Sequence, residues 1–514
     1  MDKFGKSQSI TRVEDQRFLT GFGKYIDDIA PADALHAFVF RSPIAHGVIT
    51  NLDVSDARNS DGVAAVITAA DLIAADISMD LEGTVVKNRD GTDGAKPPRP
   101  LLATDRVRHV GEPVAMIIAD TMQQARDAAE LIEFDYDELP VQLALAPGDT
   151  DIHDEAPGNL AFDWEMGDAE KTQAEFDNAA HVVKLEVGDN RVIVNSIEPR
   201  GCYAEFDGER LHVAMNAQGV WAHWNRLSQM LNMPKDNVRV TNPDTGGGFG
   251  MKAMAYPEAY VLAHAAMTLG RPVRWMSDRT EAMLTDNAGR DLVSWAEFAF
   301  DADHRIKAYR VHTDCNMGAY NSQYAQPIQT QLFSRVLMGT YDVQATYLSV
   351  KGYYTNTTQV DAYRGAGRPE AIYVLERLMD RAARELGVDL WELHHKNFIP
   401  LDKFPYKTTT GEIYDVGDFS RVLNHAETAC DRAGFGARKS ASEANGKLRG
   451  QGLCFYIESI LGDPSESTRV EFNDDGTVCI FVGTQSNGQG HETVYAKFLS
   501  DQTGIPLDKI IVVQ

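Results

Sequence analysis

The sequence predicts an α/β protein of more than one domain, with a small α/β unit at the front and larger ones behind it. Three observations carry that expectation. With 514 residues the chain exceeds what one core can organise and makes about three domains of ordinary size. Between Tyr25 and Pro140, short strand-like and helix-like stretches alternate with frequent turns. Beyond residue 240, glycine-rich loops run into helices three times.

In the front unit, Val114–Ala119 is a continuous apolar run of strand length, the segment around Gln123–Glu130 is helical, and Ile132–Tyr136 reads as a second strand. Gly94–Pro100 is a proline-rich loop within it, and Pro147–Gly167, rich in Asp, Gly and Pro with little periodicity, reads as an interdomain connection. The first glycine loop is Thr245–Gly250; Pro257 then opens the apolar helix Glu258–Met267, which Gly270 closes. The second is Arg364–Arg368, followed by Pro369, apolar positions Ile372, Leu375, Met379, Ala382 and Leu386, and a closing Gly387. The third, Gly483–Gly490, follows the strand-like Val478–Val482 and precedes a helix over His491–Leu499. Helix starts offer free N–H groups and the positive end of a dipole. Three such loops predict one extended anionic ligand clamped from several sides.

Hydrophobic residues make up 43% of the chain, yet no stretch has the apolar length needed to cross a bilayer. The 75 acidic and 49 basic residues leave a net charge of −26, which argues against nucleic acid and anionic membranes as partners. Five scattered cysteines (Cys202, Cys315, Cys430, Cys454, Cys479) never stand in CxxC spacing, so neither a disulfide framework nor an iron–sulfur cluster is expected in this chain. The first 21 residues show no apolar signal region, which points to a cytoplasmic protein. The apolar run Ile510–Val513 has a buried-strand pattern that stops at Gln514, so a fragment, or a chain needing a second polypeptide, is expected.

Nucleotide folds fit the loops poorly. Gly246, Gly248 and Gly250 do not complete GxGxxG, because Met251 stands where the last glycine belongs. Gly483 and Gly488 have P-loop spacing, but Gln489 and Gly490 replace the lysine and hydroxyl that would hold phosphate and magnesium. With no HExxH, no GxSxG and no cysteine beside a plausible histidine base, hydrolytic readings lack a nucleophile, and any chemistry must come from a cofactor.

GGGFGMK (Gly246–Lys252), AYRGAGRPE (Ala362–Glu370) and GTQSNGQGHET (Gly483–Thr493) resemble, in order, three loops of the molybdenum hydroxylase large subunit, the xanthine dehydrogenase and aldehyde oxidase family. RFLTGFGKYIDD (Arg17–Asp28), RSPIAHG (Arg41–Gly47), HVGEPVAMIIAD (His109–Asp120), NSIEPRG (Asn195–Gly201) and SDRTEAMLTDNAGRD (Ser277–Asp291) add to the likeness. One such motif is weak; eight in order, from about Arg12 onward, leave little room for chance.

The resemblance implies a hammerhead-like α/β domain over residues 1–145, a first molybdopterin-binding domain over 146–400 and the incomplete start of a second over 401–514. It implies molybdopterin, in its cytosine dinucleotide form, carrying molybdenum held through the pterin alone. Gly248 and the amides of Phe249 and Gly250 match the donors around the metal group, where glycine lets backbone come close. Gln218 matches a neutral donor to its oxo ligand. Arg364 matches an arginine facing metal and substrate, able to support developing negative charge. Gln485, Ser486, Gln489, Gly490, His491 and Thr493 match pterin and dinucleotide phosphate contacts.

Two departures bear on substrate. Ala253 stands where purine oxidisers carry a glutamate, which disfavours xanthine. Arg364-Gly-Ala-Gly367 lacks the copper-holding cysteine of aerobic carbon monoxide dehydrogenases, which the chain otherwise resembles. An aldehyde or nitrogen heteroaromatic remains, hydroxylated with water as oxygen source. The family's catalytic glutamate, in a Gly-Glu-Pro motif, is expected beyond Gln514; Gly111-Glu112-Pro113 belongs to the front unit and is not that base. Electrons would leave through [2Fe-2S] clusters and FAD on an iron–sulfur small subunit and a flavin-binding medium subunit, in a dimer of heterotrimers. The alternative is a non-catalytic binding or assembly fragment of the same fold.

Overall fold

A computed structural model describes residues 10–81, 83–462 and 465–514. Its frame is two mixed sheets. The larger has seven strands in the order Val238–Thr241, Leu211–Met215, Gly201–Phe206, Val273–Met276, Leu35–Arg41, Pro113–Ala119 and Val63–Thr68. The smaller has five, in the order Leu160–Gly167, Thr346–Tyr354, Ile306–Gly318, Leu292–Phe300 and His181–Asp189.

The helix Pro257–Leu269 is apolar almost all round because it lies in the core against the larger sheet, with Tyr260, Val261, Leu262, Ala263, Ala265 and Ala266 fully buried. Proline at its first turn needs no N–H partner, and Gly270 ends it in the left-handed conformation. The helix Arg368–Leu386 has the same punctuation and lays Leu375, Leu378, Met379 and Ala382 on the smaller sheet. Burying each such large aliphatic side chain contributes roughly 1.5–3 kcal/mol, so these two helices anchor the loops before them firmly. A three-stranded sheet, Arg469–Phe472, Val478–Phe481 and Ile510–Val513, carries the helix His491–Thr503 near the end of the chain. Among the described residues no helix is long and apolar enough to cross a membrane.

Three expectations need correction. The front unit is not closed on itself: its strand Leu35–Arg41 pairs in parallel with Val273–Met276, and one core mixes Leu35, Met116 and Ile118 with Leu211, Leu262 and Val273. The Pro147–Gly167 segment is more than a connection, since Leu160–Gly167 is a strand of the smaller sheet and Ile152 and Asn159 are fully buried. Asp163 and Glu165 obscured it; they lie on the strand's wetter side, where Arg89 pairs with both. Ile510–Val513 is indeed a strand, parallel to Val478–Phe481, but it is an edge strand with Ile511 47% and Val513 39% exposed rather than a buried one.

Candidate functional site

The loop Thr245–Gly250 is held at both ends. Glu198 accepts from the Gly246 N–H through Oε2 at 2.8 Å, and its own N–H donates to the Gly246 carbonyl at 3.1 Å. At the other end the Gly250 N–H donates to Gln218 Oε1 at 2.7 Å, while the Gln218 N–H donates to the Lys252 carbonyl at 3.0 Å. Behind both anchors the buried Lys252 ammonium donates to the Glu198 carbonyl at 2.8 Å and lies 3.3 Å from its carboxylate. Burial lowers this ammonium to about 8, against the opposing pull of Glu198.

Between the anchors, the N–H groups of Gly247, Gly248 and Phe249 have no hydrogen-bond partner among the described residues. Phe249 adopts φ +53°, a conformation costly for a bulky side chain and persistent only where the surroundings impose it. Two glycines make this possible. A Cβ on Gly248 would stand 2.5 Å from the Gln218 side chain, and one on Gly250, at φ +100°, would stand 2.8 Å from the Ala362 carbonyl.

The Ala362–Ala366 loop faces this turn. Buried Arg290 holds it, donating to the Arg364 carbonyl at 2.9 Å and pairing with Glu370 at 3.1 Å. The Arg364 side chain is exposed, makes no ion pair among the described residues, and lies 4.7 Å from the centre of the Phe249 ring. It is therefore not a salt-bridged structural arginine.

A cleft of about 930 Å³ brings together Gln218, Gly248, Phe249, Gly250, Arg364 and Gln489, three distant parts of the chain. A neighbouring cavity of about 550 Å³, sharing Phe18, Thr245 and Gly488 with it, takes Gln485 and Ser486. Gln485 Oε1 accepts from the Gly219 N–H at 3.0 Å and from Asn242 Nδ2; Gln489 Nε2 donates to the Gln485 carbonyl at 3.3 Å. The other expected positions behave differently. The Gly250 N–H is already committed to Gln218, so it is not a free donor. Gly490 is the left-handed cap of the helix His491–Thr503 and lines neither cavity. Thr493 is buried and faces the N-terminal segment: it accepts from the Val13 N–H at 2.8 Å and donates to Glu14. His491 leans on Tyr495, and its buried Nδ1 lacks a partner.

The residues present fit a large polar ligand. Three aligned amides await acceptors, and a ring of buried polar atoms at the seam, Arg12 Nε, Glu14 Oε1, Asn242 Oδ1, Asn487 Oδ1 and His491 Nδ1, lacks hydrogen-bond partners. None of the five cysteines lines the cleft. Ala253 does not line it either; it packs among Val194, Met251, Tyr256, Ala362 and Tyr363, so the expected apolar gap is filled. Glu112 is buried elsewhere, accepting from the Arg108 N–H and the Tyr320 hydroxyl.

Sequence reasoning missed Arg12, Asp15, Phe18 and Tyr25, which line the cleft from the N-terminal arm, and the Glu198–Lys252 brace. The closely spaced charges of Arg12-Val-Glu-Asp-Gln-Arg17 were the available signal, but such runs most often mark a solvated surface.

Comparison with known proteins adds a second line. The aldehyde oxidase and xanthine dehydrogenase a/b hammerhead domain matches residues 20–140, and molybdopterin cofactor-binding domains match 152–398 and 426–514. The carbon monoxide dehydrogenase large chain of Hydrogenophaga pseudoflava is 33% identical, over 97% of this chain and 65% of its own. The nicotine 6-hydroxylase large subunit of Paenarthrobacter nicotinovorans is 32% identical, over 98% of this chain and 63% of its own. The chain thus spans just under two thirds of these relatives. Among solved structures, quinoline 2-oxidoreductase from Pseudomonas putida 86 superposes with a TM-score of 0.88 at 29% identity, covering 98% of this chain and 66% of that one.

Proposed function

We propose, because the chain belongs to the xanthine dehydrogenase and aldehyde oxidase family as a molybdopterin-binding subunit, that its cleft holds molybdopterin and that the assembled enzyme hydroxylates an aldehyde or nitrogen-heteroaromatic carbon. The observation that carries this reading is the row of partnerless amides at Gly247, Gly248 and Phe249, facing the same cleft as the unpaired Arg364. When bound, the molybdenum–pterin group supplies oxygen transfer from water and takes up two electrons.

The chain's own residues position and polarise. The Gly248 and Phe249 amides donate to the group's oxygens without bringing charge. Gly250 acts one step back: by occupying Gln218 Oε1 it fixes the amide so that Nε2 remains the free donor in the cleft. Arg364 offers a planar cation beside the Phe249 ring, suited to orienting an aromatic or carbonyl substrate and to stabilising negative charge as it develops. Gln489 reaches from the third loop, and Gln485 and Ser486 extend the polar wall into the neighbouring cavity, the place for a dinucleotide extension such as the cytosine form. Neither carboxylate of the cleft is proposed as base, since Glu198 is bound to Gly246 and Lys252 and Asp15 pairs with Arg12.

Relatives that act on nicotine and quinoline support a heteroaromatic substrate. The lack of a cysteine near Arg364 argues against copper-dependent carbon monoxide oxidation, and Ala253 against purines. Partners are proposed to be an iron–sulfur small subunit and a flavin medium subunit, together a cytoplasmic dimer of heterotrimers. The test is metal and pterin analysis of the purified protein together with turnover of benzaldehyde, quinoline, nicotine and xanthine using an artificial electron acceptor. Molybdenum near one per chain with turnover of the first three is expected; faster oxidation of xanthine would overturn the substrate class, and bound molybdenum without turnover would favour a binding role.

A further inference from the structure

We propose that Arg17 is a positioning residue that pins the N-terminal arm across the cofactor cleft and sets the spacing of its two walls, so that the arm serves as a strap. The inference rests on the reading of the cleft as a molybdopterin site. One wall is the segment leading into the Thr245–Gly250 loop; the other is the loop Gly483–Gly490 with the helix His491–Thr503. Arg17 touches both. Its Nη2 donates to Asp244 Oδ1 at 2.6 Å and its Nη1 to Glu492 Oε2 at 2.9 Å.

The charge pattern explains why a cation is needed there. Asp244 and Glu492 would repel if the walls approached alone, whereas a guanidinium between them makes approach favourable. The planar fork can serve two carboxylates at once, which a lysine ammonium does with less directionality. Burial opposes the charge on Arg17, but the bonds to Asp244 and Glu492 outweigh it and raise its pKa. Phe18, which lines both cavities, lies beneath the guanidinium at 4.4 Å from the ring centre.

The arm is tied on either side of this pin. Before it, the Val13 N–H donates to Thr493 Oγ1 at 2.8 Å and Arg12 Nη2 donates to the Gly488 carbonyl at 3.1 Å. After it, the Lys24 N–H donates to Asp244 Oδ2 at 2.8 Å and the Asp244 N–H to the Lys24 carbonyl at 2.9 Å. One end of the arm thus holds one wall and the other end holds the opposite wall. With its side chain 32% exposed, Arg17 forms a bridge that solvent can reach, unlike the enclosed Arg200–Glu258 pair.

The test is hydrogen–deuterium exchange on the isolated protein, read over residues 12–24 and 483–492, together with molybdenum and pterin content. Arg17→Met should speed exchange severalfold in both segments, leave the seven-stranded sheet unchanged, and lower cofactor content; Arg17→Lys should recover part of both effects. Glu492→Gln, at the far end of the bridge, should reproduce the loosening should Arg17→Met fail to fold. Unchanged exchange in 483–492 would overturn the strap, as would faster exchange in a protein that keeps its full cofactor. Faster exchange in these segments when even the wild type binds no molybdenum would support the strap and overturn the cofactor reading.

Discussion

Arg364 and Lys252 show how differently two cations can serve one cleft. Arg364 stands free beside a strained aromatic, so removing it takes away charge where a reaction would need it and little else. Arg364→Ala in the loaded enzyme should lower kcat/KM by about 10²-fold or more while molybdenum content stays near normal, the scale for losing one electrostatic stabiliser. Equal loss of metal and activity would make it structural. Lys252 is buried, and burial lowers its pKa from the ordinary 10.5 to about 8. Between those values the unfolded chain holds the extra proton, so this residue's contribution to stability rises with pH across that window. The unfolding free energy of the wild type relative to Lys252→Met, measured by urea titration, should therefore improve from about pH 7 to about pH 10; a flat difference would show that the ammonium is not desolvated. The loops were legible in the sequence, and so was their convergence on Gln218, Arg364 and Gln489. The commitment of the Gly250 N–H and the inward turn of Thr493 were not, because both depend on partners at residues 218 and 14 that only the fold brings near.

At the scale of elements, the helices after the first two loops were readable nearly to their ends, since proline at the start and left-handed glycine at the close are local rules. The strand Leu160–Gly167 was hidden because its acidic residues break the apolar run and its pairing partner, Thr346–Tyr354, lies far along the chain. The Thr245–Gly250 loop depends on both kinds of constraint, local backbone freedom and remote packing. Gly250→Ala would place a methyl against the Ala362 carbonyl at a φ that L-residues avoid, at a cost above about 1 kcal/mol. It should shift the loop and release Gln218, so molybdenum content should fall much further than the melting temperature. A variant retaining full metal would show that the loop tolerates displacement and that its free amides are not the binding donors.

At the scale of the whole molecule, the seven-stranded sheet joins residues that matching by domain would separate. Residues 1–145 expressed alone should lack a stable fold, because the strand Leu35–Arg41 would lose its parallel neighbour Val273–Met276 and half of its core. Circular dichroism and amide exchange would decide, and a cooperative unfolding transition for that fragment would refute the expectation. The same sheet also has a consequence in time. On the ribosome Leu35 emerges 238 positions before Val273, the residue it pairs with. At roughly 5–20 residues per second the wait is roughly 12–48 s. For that interval the apolar edge of the nascent front unit has no native neighbour, which makes it a natural client for a chaperone that binds exposed strands during synthesis.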